Sequence, residues 1–315
     1  MASPFSLSGE FPFWSPADTS LSSFIHGGAW RDPRNTYADF EPAVEKLQTA
    51  PEVDLRAIAG FASLGYRLSS HPQFPEASAQ VTDGPAAVKR PQHPAHIKDI
   101  WLALAYLQQT FDMGDRYILI GHSAGATLAF QLLMGSAALG SSGSFHDGLP
   151  CESLDATSPL YQHHSSHHKA VVAGEIPLAI RPPVAVIGIA GIYDFFGLNE
   201  RMGRAYQSIF TGAFGDDPTA WNEASPACFR GNYAKTFPGT RLALLAWSPD
   251  DELIDEPDID HMAETLAADG VRHTVVKDIT GNHDFVWRDG SPIVRLVAQA
   301  LNELKQLDPD YPSSK

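Results

Sequence analysis

The chain has 315 residues, 43% of them hydrophobic, and a formal net charge of −15. That length suits one large domain with a substantial core. The acidic charge is spread along the sequence, which argues against nucleic acid or an anionic membrane as partner, because both need basic patches.

The N-terminus, M-A-S-P-F-S-L-S-G-E-F-P-F-W, has no charged n-region and no continuous apolar core, so no signal peptide is expected. No stretch is apolar for long enough to span a bilayer. Two cysteines, Cys151 and Cys228, make no CxxC pair or disulfide framework, which fits a reducing compartment. The expected location is the cytoplasm.

Short apolar runs then alternate with amphipathic ones. L-S-S-F-I at 21–25 reads as a strand, F-E-P-A-V-E-K-L at 40–47 has helical spacing, and 55–67 contains a strand. In 95–107, Ile97, Ile100, Trp101 and Leu104 share one helical face. A strand at 116–120 leads to Ser123 and a helix running to about 134, and strands follow at 183–189, 241–247 and 273–277. S-P-I-V-R-L-V-A-Q-A-L-N-E-L from 291 closes the pattern as a helix. Strands alternating with helices predict an α/β fold with a mostly parallel central sheet covered on both faces.

Two stretches break the rhythm. Residues 135–180 are rich in Gly, Ser and His and read as a flexible insertion. Residues 194–240 hold Gly, Pro and aromatics without clear periodicity and suit a small cap over the C-terminal edge of the sheet. Neither has the look of an independent domain, so 1–315 is read as one.

G-H-S-A-G at 121–125 stands between the apolar strand and the A-T-L-A-F-Q-L-L helix. This is a nucleophile elbow: glycines let strand and helix approach, and the serine sits in a strained turn with its hydroxyl exposed. A serine hydroxyl needs a base. After such an elbow the partners follow in the order serine, acid, histidine. His283, in G-N-H-D-F, occupies the histidine position, whereas His273 falls inside a strand. The acid follows the strand at 241–247 in S-P-D-D-E-L-I. Asp251 is the choice, Asp250 the alternative.

F-I-H-G-G-A-W at 24–30 supplies backbone N–H groups for a developing oxyanion. Gly28 is the first choice of donor, with Gly27 and Ala29 beside it and the amide of Ala124 opposite. His26 is read as an anchor for the loop. His163, His164, His167 and His168 have i,i+4 spacing, but in a Ser-rich stretch without an E-x-x-H partner they read as solvated loop. No GxGxxG or Walker loop is present, so neither cofactor nor metal is expected.

Together these residues resemble the α/β-hydrolase superfamily. Within it, H-G-G-A-W-R-D-P-R-N-T-Y-A-D-F at 26–40 is similar to the HGGxW motif of fungal kynurenine formamidases (arylformamidases). L-G-Y-R-L-S at 64–69, I-G-H-S-A-G-A-T at 120–127, G-I-Y-D at 191–194, S-P-D-D-E-L-I at 248–254 and N-H-D-F-V-W at 282–287 also resemble family segments. The likeness runs from about residue 24 to the C-terminus, the stretch 135–180 excepted.

The resemblance implies hydrolysis of N-formyl-L-kynurenine to L-kynurenine and formate, in tryptophan breakdown and NAD synthesis. Ser123, Asp251 and His283 would be the catalytic residues. The formyl side can be cramped, so selectivity has to come from a slot for the aromatic leaving group. Trp30 is a candidate wall of that slot, or else packing beneath the loop; Tyr193 and Phe195 are further candidates. A carboxylesterase of the hormone-sensitive-lipase type would carry the same triad with a different pocket. A non-catalytic hydrolase-like binding protein is the remaining alternative. Oligomeric state stays open, a homodimer included.

Overall fold

The computed structural model describes residues 5–8, 20–75, 90–111, 113–139 and 180–308. Almost all of the expected insertion lies outside the described residues, together with Cys151 and the four histidines between 163 and 168.

The strands are β1 (Phe5–Ser8), β2 (Ser20–Ile25), β3 (Ile58–Leu64), β4 (Tyr117–His122), β5 (Ala185–Ile189), β6 (Leu242–Ala246) and β7 (His273–Val276). They form one sheet in the order β1-β3-β2-β4-β5-β6-β7. β1 runs antiparallel along the edge, and the other six are parallel. β1 is an addition to the sequence reading.

Alternate residues of the central strands face opposite layers. Leu119 and Leu245 point to one core, with α2 (Ala95–Phe111) and α3 (Ala124–Leu133). Ile118, Ile120 and Leu244 point to the other, with α1 (Glu41–Leu47) and the C-terminal helix Ser291–Leu307. That last helix buries Ile293, Leu296, Val297, Leu301 and Leu304 along one stripe. Each such burial stabilises by roughly 1.5–3 kcal/mol.

The 194–240 stretch holds more regular structure than its sequence suggests: α4 (Phe195–Arg201), α5 (Gln207–Phe214), α6 (Pro218–Ala224) and α7 (Tyr233–Thr236). Side chains of Asp194, Asp217 and Asn232 cap three of them. α8 (Glu256–Ala268) follows the acid loop, and α9 (Phe285–Asp289) follows His283; the C-terminal helix is α10. Among the described residues no helix is long and apolar enough to cross a membrane.

The functional consequence lies in the parallel strands. All six carry their C-terminal loops to one edge, so the segments after β2, β4, β5, β6 and β7 converge there.

Candidate active site

Ser123 links β4 directly to α3 with φ 54° and ψ −123°. A serine in this region is strained and persists only where its surroundings enforce it. Here they do. The Ser123 N–H donates to the Ile189 carbonyl at 2.9 Å, and its own carbonyl accepts from Ala126 and Thr127. A Cβ on Gly121 would overlap the Gly125 carbonyl, and one on Gly125 would overlap that of Ile25. Glycine at both positions therefore lets α3 lie against the ends of β2 and β4. Ser123 itself is 5% exposed.

His283 and Asp251 meet. Nδ1 of His283 donates to Asp251 Oδ2 at 2.9 Å, and their side chains are 5% and 1% exposed. The other Asp251 oxygen accepts the N–H groups of Leu253 and Ile254, at 2.8 and 2.9 Å. Among the described residues this leaves Nε2 of His283 as the ring nitrogen without a hydrogen bond. The main chain of His283 is tied as well, its N–H donating to Glu252 Oε2 at 3.1 Å. Asp250 turns the other way, its Oδ2 lying 3.4 Å from the Gly281 N–H.

The imidazole of His122, the residue before Ser123, lies with its ring centre 4.6 Å from that of His283. Burial, with His283 alongside, holds His122 well below the ordinary imidazole pKa, so it packs as a neutral ring. Ser123 and His283 thus share one end of the sheet, although no hydrogen bond joins their side chains among the described residues. Such bonds are commonly long in unliganded hydrolases.

The loop after β2 closes the site from the opposite side. A Cβ built on Gly27 would lie 3.1 Å from that of Ser123. Gly28, Ala29 and Trp30 all have positive φ, at 87°, 49° and 59°. The Gly28 carbonyl turns inward to accept from Arg31 and Asp32, at 3.0 and 2.8 Å. Among the described turns and loops, the N–H groups of Gly27, Gly28 and Ala29 donate to no backbone carbonyl. Ala124 opens α3, so its N–H lacks an intrahelical partner.

His26 is buried; its Nδ1 lies 3.0 Å from the Gly27 carbonyl, and desolvation lowers its pKa to about 4. Tyr66 stacks on it at 4.4 Å and donates its hydroxyl to the Gly27 carbonyl at 2.7 Å. Tyr66 had only a resemblance to mark it; its place beneath the loop depends on β3 lying beside β2, which no local pattern announces.

The aromatic candidates lie inside the core, which for Trp30 is the packing alternative and for Tyr193 and Phe195 differs from a slot wall. Trp30 is fully buried, its ring 5.5 Å from Phe195, 6.2 Å from Phe210 and 4.9 Å from Phe214. Tyr193 is also fully buried, edge-on to Phe130 and over Gly188, where a Cβ would overlap its hydroxyl. Phe195 is 0% exposed. All three pack beneath the site, and none presents surface to a ligand in this structure. The small Gly188 and Gly191 draw Tyr193 inward, and α4 and α5 cover Trp30.

His273 lies in β7 with Nδ1 3.0 Å from the Val271 carbonyl, away from the cluster. Cys228 sits beside Asp194, and burial with that carboxylate raises its thiol to about 11, so it is no nucleophile at neutral pH.

Comparison with known proteins identifies the fold and the family. The chain is 33% identical to a kynurenine formamidase-like hydrolase of Fusarium equiseti, over 90% of this chain and 83% of that protein. It is 29% identical to a kynurenine formamidase of Aspergillus versicolor, over 84% of this chain and 82% of the relative. No protein-family model matches the chain. Among solved structures, a thermophilic esterase of Thermogutta terrifontis superposes with a TM-score of 0.58 at 15% identity, over 99% of this chain and 91% of that one. An acetyl ester-xyloside bifunctional hydrolase of Caldicellulosiruptor lactoaceticus gives 0.56 at 14%, over 95% and 87%. At such identity a likeness shows the fold alone, here that of the α/β-hydrolases. The sequence likeness goes further: the chain is a hydrolase and belongs to the kynurenine formamidase family.

Proposed function

We propose that the protein hydrolyses N-formyl-L-kynurenine to L-kynurenine and formate, with Ser123 as nucleophile, His283 as base and Asp251 as the acid that orients it. The observation that carries this reading is the buried His283–Asp251 pair beside the strained Ser123 turn, in a chain of this family.

His283 Nε2 takes the Ser123 proton as Oγ attacks the formyl carbon. The resulting oxyanion is met by the amides of Ala124 and of the loop at Gly27, Gly28 and Ala29. Losing one such donor costs about 2.7–4 kcal/mol of transition-state stabilisation. The protonated imidazole, held by Asp251, hands its proton to the departing aryl amine, leaving a formyl-serine. Water, deprotonated by the same Nε2, then releases formate. The reading treats the chain as one catalytic domain with residues 194–240 as its cap, acting in the breakdown of tryptophan.

The test is the appearance of kynurenine absorbance on mixing purified protein with N-formyl-L-kynurenine, set against release of p-nitrophenol from p-nitrophenyl acetate. The expected result is faster turnover of the formamide. Rapid ester cleavage with no kynurenine would replace the reading by that of a carboxylesterase. Ser123→Ala should fold and lose both activities; retained hydrolysis would move the nucleophile elsewhere.

A further inference from the structure

The proposed reaction leaves one end of the substrate without a receiver, the α-carboxylate carried by the leaving group. Arg31 is placed to meet it. It follows the oxyanion-type loop directly and is fixed by the bond from its N–H to the Gly28 carbonyl at 3.0 Å. The residue is part-buried, and Nη1 of its side chain reaches the Ser208 carbonyl of α5 at 3.5 Å, the long limit of a hydrogen bond. The guanidinium therefore bridges from the loop beside Ser123 toward the cap helices.

Among the described residues its charge has no dedicated counter-ion. The carboxylate that acts on it electrostatically, Asp32, is taken on both oxygens by Arg34, at 2.9 Å from Nε and 2.6 Å from Nη2. Arg34 in turn lies within electrostatic reach of the carboxylate of Asp284, the residue after His283. His71 adds an imidazole within electrostatic reach of Arg31 and Asp32. In a chain with 37 acidic and 22 basic residues, an unpaired guanidinium at this edge stands against the general charge. Its planar fork suits a carboxylate, and among the described residues Nη1 alone of its donors makes a hydrogen bond.

We propose that Arg31 determines specificity by receiving the carboxylate of the arylamine leaving group through paired N–H···O bonds. The proposal rests on the formylkynurenine reading, so its test reads product binding, which does not require turnover. Equilibrium dialysis of the full-length protein with L-kynurenine and with kynuramine, the same arylamine without the carboxylate, measures the preference. Wild type should bind L-kynurenine about tenfold or more tightly than kynuramine, Arg31→Gln should bring the ratio close to one, and Arg31→Lys should keep part of it. In turnover, Arg31→Gln should raise KM for N-formyl-L-kynurenine about tenfold with kcat within a few-fold, and leave 2-formamidoacetophenone unaffected. A ratio that survives in Arg31→Gln, a wild type without preference or without binding, or equal losses on both formamides each overturn the proposal. Failure of the formamidase reading has a separate signature: no kynurenine is released although the binding preference stands.

Discussion

Asp250 and Asp251 are chain neighbours, and their hydrogen bonds separate them. Asp251 accepts from His283 Nδ1, Leu253 N and Ile254 N, while among the described residues the Asp250 carboxylate has only a long contact to the Gly281 N–H. In Asp251→Asn an amide that can donate faces Nδ1 and favours the wrong tautomer; the expected loss of kcat is about 1,000- to 10,000-fold. Asp250→Asn should stay within a few-fold of wild type, and steady-state rates on one substrate decide between the two. The order of the motifs is legible in the sequence, and the S-x-x-D-x-x-I pattern favours Asp251, but the physical ground for that choice is not, because it depends on how the Ser248–Ile254 turn points its side chains. Ser248 sets that turn by donating to the Gly281 carbonyl at 2.6 Å and accepting from Asp250 N at 3.1 Å. Tyr66 is a second case. Its hydroxyl braces the Gly27 carbonyl, so Tyr66→Phe should lower kcat by about three- to tenfold with KM little changed, because a hydrogen bond of ordinary worth is lost. A rise in KM with kcat intact would assign Tyr66 to substrate binding instead.

The elements that carry the site are packed without slack. All ten residues of α3 are buried, and its first turn rests on the end of β2 through Gly125. A methyl at that glycine meets backbone, which cannot rotate away as a flexible side chain could. Gly125→Ala should therefore destabilise by at least the ~3 kcal/mol upper range of overpacking, seen as a lowered urea midpoint, and should cost activity as the N-terminus of α3 retreats from Ser123. A near-native midpoint would show that strand and helix can separate cheaply. Strands and long helices were legible because burial imposes a regular period over many residues. The helices from α4 to α7 were not, being four to eight residues long and so giving period analysis about two turns or fewer. α8 gives a weak sequence signal although Ile259, Met262 and Leu266 keep helical spacing, since charged residues such as Asp258, Asp260 and Glu264 dilute its apolar pattern.

At the scale of the molecule, the net charge says little about which groups govern stability; buried titrating groups do. Desolvation lowers His26 and His93 to about 4 and His96 to about 3, and holds His122 well below 6.5. The unfolded chain protonates these imidazoles near 6.5 and the native one does not. Unfolding therefore takes up protons, and stability falls as pH drops from about 6.5 toward 4. Two carboxyls oppose this. Desolvation raises Asp39 to about 6 and Asp258 to about 7, so their cost grows as pH rises from about 4. Four imidazoles against two carboxyls leave an uptake of roughly two protons on unfolding near pH 5. The urea midpoint should accordingly climb between pH 4.5 and 6.5, then flatten. His96 offers a way to check the cause. Ser69 Oγ donates to the Pro91 carbonyl at 2.8 Å, so the 2.9 Å contact from His96 Nε2 to that oxygen is a donation by a neutral ring. Glutamine can make the same donation without titrating. His96→Gln should remove about one proton from the slope between pH 4 and 6 while leaving the midpoint at pH 7.5 close to wild type; an unchanged slope would place the acid sensitivity in other groups.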